Sequence, residues 1–155
     1  MNRAVRSTLF SGIAAGAAST VALGVLARLE GKAVFQPVNS TSHWLHGKRA
    51  AAVQGVDLTH TAVGLATHQA ATFFWAGLFE WWVAARRPLA PAPMLRYAVA
   101  TSVIAAAVDY GATPKRFTPG WEFVLSKRAM AAAYAAMALG LAAGGWMAQR
   151  RSHDR

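Results

Sequence analysis

Histidines and carboxylates recur in the first half of the sequence at spacings that suit metal ligation. His43 and His46 lie three residues apart, and Asp57 precedes His60 by the same interval. Residues three apart share one side of a helix, so each pair can offer two donors to one ion. Imidazole nitrogen and carboxylate oxygen suit a divalent transition metal such as zinc, iron, nickel or copper. Together with Asp109, they give a candidate metal site of His43, His46, His60 and Asp109.

A wider set of polar residues is expected at the same end of the molecule. In an antiparallel arrangement of four apolar segments, the end of the third segment lies level with the start of the second. His68 then lies about two helical turns deeper than His60. An ionisable group inside a membrane span is costly and usually faces the bundle interior or a water pocket. The candidate polar site comprises His43, His46, Asp57, His60, His68, Asp109 and Glu122.

Other interpretations of this polar end stay open. Haem is disfavoured as a cofactor, because only one apolar segment carries histidines, whereas b-type haem in membranes is usually held from separate spans. A proton or ion path would use His68, Glu80 and Asp109, which lie at different depths. Alternatively, the polar side chains brace the helices through interhelical hydrogen bonds. In that interpretation Glu80 lies at the membrane interface between Trp81 and Arg86.

The composition is that of a membrane protein rather than a soluble enzyme. The 155 residues are 55% hydrophobic and 14% charged, where soluble domains average about 25% charged residues. The absence of cysteine excludes thiol catalysis, iron–sulfur clusters and disulfides. Apolar runs of about 20 residues cross a bilayer as helices. We predict an all-α, single-domain integral membrane bundle (1–155) with four transmembrane helices at about 8–28, 59–84, 94–112 and 127–148 and a long irregular polar loop at 29–58.

The net charge of +10 is distributed in short basic clusters that flank the apolar segments. Such clusters bind anionic lipid head groups, so the expected partner is the lipid bilayer and not nucleic acid. Abundant arginine and alanine favour a bacterial source and therefore the inner membrane. Lys and Arg divide equally between the two sides of a four-span topology, so this count gives no orientation. Arg3 and Arg6 precede the first span, which favours cytoplasmic termini.

Small residues recur at every fourth position in the first and last apolar segments. This spacing lets helix backbones approach closely in lipid. It predicts close packing within the bundle or, alternatively, a contact face for a membrane protein partner or a second copy of the chain. The helix-packing residues are Gly12, Gly16, Thr20 and Gly24 in the first segment and Ala132, Ala136, Gly140 and Gly144 in the last.

No catalytic motif accompanies these features. The serines lack a nucleophile elbow, and the glycines form no phosphate-binding loop. The sequence therefore favours a small multi-pass bacterial inner-membrane protein that acts as a non-catalytic subunit or assembly partner. The alternatives are a metal-binding membrane protein or enzyme that uses the candidate metal site, and a proton-coupled transporter that would have to dimerise at this length.

Overall fold

Helices dominate the part of the chain that the structure describes. The computed structural model describes residues 3–151, and no β-strand occurs among them. The α-helices of this part are α1 (Arg3–Leu29), α2 (Gln36–Thr41), α3 (His43–His46), α4 (Val63–Ala84), α5 (Pro91–Ala107) and α6 (Lys127–Arg150). π-Helical turns at Leu58–Ala62 and Val108–Ala112 extend α4 and α5, and 3₁₀ turns lie at Lys48–Ala52 and Trp121–Phe123. The predicted all-helical class is confirmed.

Among the described residues, three helical segments are long and apolar enough to cross a membrane, namely Arg3–Leu29, Pro91–Ala112 and Lys127–Arg150. They coincide with three of the four predicted spans, although α1 begins at Arg3 rather than near residue 8. α4 has 22 residues, a length of about 33 Å at 1.5 Å per residue. It is not among these three segments, because His68, Gln69 and Glu80 lower its mean hydropathy.

α1 packs antiparallel against α6 through two glycines. A Cβ atom built on Gly140 would lie 2.5 Å from the Ala14 carbonyl oxygen, and one on Gly144 would lie 2.5 Å from the Phe10 carbonyl oxygen. No side chain fits there, so the two helices meet backbone to backbone. α1 also packs against α4, and α5 completes the four-helix arrangement against α6 and α4.

The other small residues of the two segments lie in different surroundings. Gly12 and Gly16 face α4, so the small residues of α1 and α6 serve two different helix contacts. A row of fourth-position residues drifts around a helix by about 40° per step. The remaining four predicted packing residues lie outside these helix contacts. Gly24 faces the segment after α1, Thr20 and Ala136 are half-buried, and Ala132 is exposed.

Several polar side chains lie inside the four-helix arrangement, and many large apolar side chains lie on its outside. Ser11 and Ser19 of α1 are fully buried, and Glu80 of α4 is 4% exposed. By contrast, Phe74 is 61% exposed and Val103 is 62% exposed. Large contiguous apolar surfaces are rare on soluble monomers, because water disfavours them.

The segments 30–57 and 113–126 form one end of the molecule, which we call the loop end. Side chains tie the two segments together: Trp44 Nε1 donates to the Thr118 carbonyl at 2.8 Å, and Trp121 Nε1 donates to Thr41 Oγ1 at 3.2 Å. The segment 30–57 is more regular than predicted, since it contains α2, α3 and a 3₁₀ turn. Asn39 stabilises it by donating to the carbonyls of residues 53 and 55.

Candidate functional site

A cavity of about 650 Å³ lies at the loop end, bounded by α4, the last turns of α5, and α6. α4 and α5 pack less closely against each other than α1 and α6 do, and this leaves space for the cavity. Residues of α2, α3 and the segment 113–126 cover it. We call it the aromatic cavity, after the rings of its wall: Trp44, Phe74, Trp75, Phe117, Trp121 and Tyr134.

Few charged or titratable groups interrupt this aromatic wall. His68 and Asp109 line the cavity together with the phenol of Tyr134, and threonine hydroxyls supply most of the remaining polar surface. No Lys or Arg belongs to the described lining. Two of the seven residues in the candidate polar site therefore share this cavity.

His68 lies on the α4 wall and is 6% exposed. Its Nε2 atom lies 2.9 Å from the Ser19 hydroxyl on α1. That hydroxyl donates its own hydrogen to the Ala15 carbonyl at 2.7 Å. We therefore assign the proton to Nε2, which donates to Ser19 and leaves the lone pair of a neutral imidazole on Nδ1.

Asp109 lies on the α5 wall, in the π-helical turn. The Tyr134 phenol of α6 donates to its Oδ2 atom at 2.6 Å. The other carboxylate oxygen, Oδ1, accepts no hydrogen bond from the described residues. The Trp121 ring lies between the two polar positions, with its centroid 5.6 Å from that of His68 and 5.4 Å from that of Tyr134.

Glu122 lies behind the aromatic cavity rather than in its wall. It accepts a hydrogen bond from Thr118 Oγ1 at 2.5 Å, and its carboxylate lies beside the Tyr110 phenol. Glu122 is also close enough to repel Asp109 electrostatically. The cavity end of α5 is therefore an electronegative part of the molecule.

Asp57, His60 and His46 form a separate group on the surface of the loop end. His60 Nδ1 lies 2.6 Å from Asp57 Oδ2, and this hydrogen bond holds the pKa of Asp57 below its usual range. Asp57 also caps the start of the helical segment by accepting from the Thr59 amide at 2.8 Å. The His46 and His60 rings lie 4.8 Å apart between centroids.

His43 is buried apart from both groups. Its Nδ1 atom lies 3.0 Å from the Ser40 carbonyl oxygen, and its Nε2 atom lies 3.4 Å from the Lys115 carbonyl oxygen. The predicted polar site is thus divided into three places. Within residues 3–151, no three His, Asp or Glu side chains are grouped so that they could hold one metal ion. The metal site stays a prediction from spacing.

A second polar group, at the opposite end of the molecule, was interpreted wrongly from the sequence. Glu80 does not extend to the surface between Trp81 and Arg86; it is buried and forms an ion pair with Arg87 at 2.6 Å. Ser11 of α1 donates to Glu80 at 2.5 Å, and Arg87 also donates to Ser7 Oγ at 3.2 Å. The signal for this group was a pair of serines four residues apart in an otherwise apolar helix.

Trp121 and Tyr134, which connect His68 to Asp109, were not among the residues predicted from the sequence. The sequence gives little reason to place these two residues in a site, because aromatic residues are common both at membrane interfaces and in helix packing. Comparisons of the chain with protein families, with curated proteins and with solved structures found no match.

Proposed function

We propose that the chain is a four-span protein of the bacterial inner membrane with cytoplasmic termini. We further propose that it is a non-catalytic subunit or partner protein that binds a lipid-soluble ligand in the aromatic cavity. The outward-facing apolar side chains of the long helices support the membrane location, because lipid tails accept surfaces that water does not.

α4 is proposed as the fourth span because its polar side chains face the other helices. His68, Thr72 and Glu80 are 6%, 2% and 4% exposed, whereas Phe74 and Trp81 face outwards. α4 packs between α1 and α5, so its polar groups find hydrogen-bond partners within the protein. A span of this kind needs its neighbours but presents an apolar surface to lipid.

The aromatic cavity is the observation that carries the binding function. Its volume of about 650 Å³ lies within the range of small-molecule sites, about 300–1,000 Å³, and such sites are mostly apolar with a few polar groups. Hydrogen bonds hold His68, Thr72 and Tyr134 in place, while Asp109 Oδ1 has no partner among the described residues. An arrangement of this kind can hold and orient a ligand, and it lacks an activated nucleophile.

A neutral aliphatic diazirine probe tests this proposal. The protein in lipid nanodiscs is irradiated with the probe, and adducts are mapped by mass spectrometry. We expect adducts on residues of the cavity wall, reduced at least about fivefold by A71F, which places a phenyl ring in the cavity. A107F is the matched control, since Ala107 is exposed on α5 and lies outside the lining. Adducts spread evenly over the lipid-facing residues, and unchanged by A71F, would contradict the proposal.

A further inference from the structure

We propose that the ligand of the aromatic cavity is an amphiphilic organic cation, such as an alkyl- or aryl-substituted ammonium or phosphonium compound. This inference rests on the proposed function, because it names the class of ligand for the same cavity. It follows from three properties of the wall: its charge, a free carboxylate oxygen, and its aromatic surface.

The charge of the wall is negative. Asp109 is the one carboxylate of the described lining, and no Lys or Arg accompanies it there. His68 is only 6% exposed, and burial without an opposite charge disfavours the positively charged imidazolium. Glu122 adds a second negative charge nearby. Arg116 donates to the Trp44 carbonyl at 3.4 Å, but it lies on the exposed surface and outside the described lining.

The carboxylate of Asp109 is half satisfied by the protein. Tyr134 donates to Oδ2 at 2.6 Å, which fixes the orientation of the group. Oδ1 accepts no hydrogen bond from the described residues, and Asp109 lines the cavity. A cation beside Oδ1 would complete the coordination of a partly buried carboxylate, where a charge pair is screened less than in water.

The aromatic surface suits the rest of such a ligand. A cation within about 6 Å of a tryptophan or tyrosine ring is attracted by the negative face of the ring. Trp121 and Tyr134 lie 5.4 Å apart beside Asp109 and offer this interaction next to the carboxylate. The remaining rings are apolar enough to bury alkyl or aryl substituents. An anion would meet Asp109 and the negative faces of the rings, and is therefore disfavoured.

Tetraphenylphosphonium and tetraphenylborate test the inference, because they have nearly equal size and opposite charge. Binding of each ion to the protein in zwitterionic nanodiscs is measured by titration calorimetry, with empty nanodiscs subtracted. We expect the phosphonium ion to bind at least about tenfold more tightly than the borate ion. D109N removes the charge at constant shape and should abolish this preference. D57N is the matched control, because it removes a carboxylate at the loop end but outside the cavity. Asparagine caps helices as aspartate does, so the start of the helical segment is preserved.

The outcomes separate the ligand class from the binding function. Equal binding of the two ions to the unmodified protein, or an unchanged preference in D109N, would overturn the cation inference and leave the binding function intact. Absence of diazirine adducts from the cavity would instead overturn the binding function. If D109N itself lacks these adducts, its fold is altered. The comparison of the two ions on the unmodified protein and on D57N then decides the inference.

Discussion

Buried polar residues in this protein have partners that lie far away in the sequence. Glu80 illustrates why their roles are hard to predict. If α4 continued to residue 87, that residue would lie about 10 Å beyond Glu80 along the helix axis. The sequence therefore does not suggest Arg87 as the partner of Glu80. The chain turns back after α4, and Arg87 reaches Glu80 at 2.6 Å. Asp109 gives the same lesson, because its partner Tyr134 lies on α6 rather than among the histidines.

The first prediction concerns this buried ion pair. R87A leaves the Glu80 carboxylate buried without its cation, and loss of one partner from a buried pair costs about 3–5 kcal/mol. We expect a lower free energy of unfolding by roughly this amount, measured by denaturant titration in one detergent with tryptophan fluorescence.

R86A is the control for that prediction. Arg86 is exposed and contacts the Tyr97 ring face and the Trp82 carbonyl, so its loss should cost less than about 1 kcal/mol. The double variant E80L/R87L removes both charges and should recover most of the stability. Equal destabilisation by R86A and R87A would show that the buried pair has no special role.

The helices were predictable from the sequence because apolar length is a local property. Three predicted spans match helices that are long and apolar enough to cross a membrane. Small residues at fourth positions predicted close helix contacts, but the sequence does not show which helix each glycine faces. Gly140 and Gly144 face α1, while Gly12 and Gly16 face α4. That choice depends on the arrangement of all four helices.

The second prediction concerns the contact between α1 and α6. G144A places a methyl group 2.5 Å from the Phe10 carbonyl oxygen, so the helices must separate. Overpacking of this kind costs about 1–3 kcal/mol, and the same unfolding measurement detects it.

G77A is the matched control within a helix. The nearest atom to its new methyl group is Thr8 Cγ2 at 3.9 Å, an ordinary contact. Replacing a helical glycine with alanine without a clash is expected to stabilise by about 0.5–1 kcal/mol. A stabilising effect of G144A would show that α1 and α6 do not meet as described.

At the scale of the whole molecule, the sequence predicted which residues share one end but not how they are grouped there. His43, His60 and His68 all lie towards the loop end, as the antiparallel order requires. Each has a different environment, because α2, α3 and the turn at 121–123 fold between them. Contacts such as that of Trp44 with the Thr118 carbonyl arise only when distant segments meet.

The third prediction concerns the orientation of the four proposed spans. The chain has no cysteine, so L45C and A85C each provide one thiol on an exposed residue at opposite ends of the molecule. With cytoplasmic termini, an impermeant maleimide should label L45C in intact spheroplasts and label A85C only after lysis. The reverse pattern would place the termini outside. Labelling of both sites before lysis would contradict four spans.

The low hydropathy of α4 has a consequence for biosynthesis. A charged side chain raises the cost of leaving the translocon for lipid, and α4 carries Glu80 as well as His68. Their hydrogen-bond partners Ser11 and Ser19 lie on α1, which leaves the ribosome first. We expect α4 to enter the bilayer as the second member of a hairpin with α1. If α4 is the second span, as proposed, its retention in the bilayer is conditional on α1, and the polar interior sets the order of assembly.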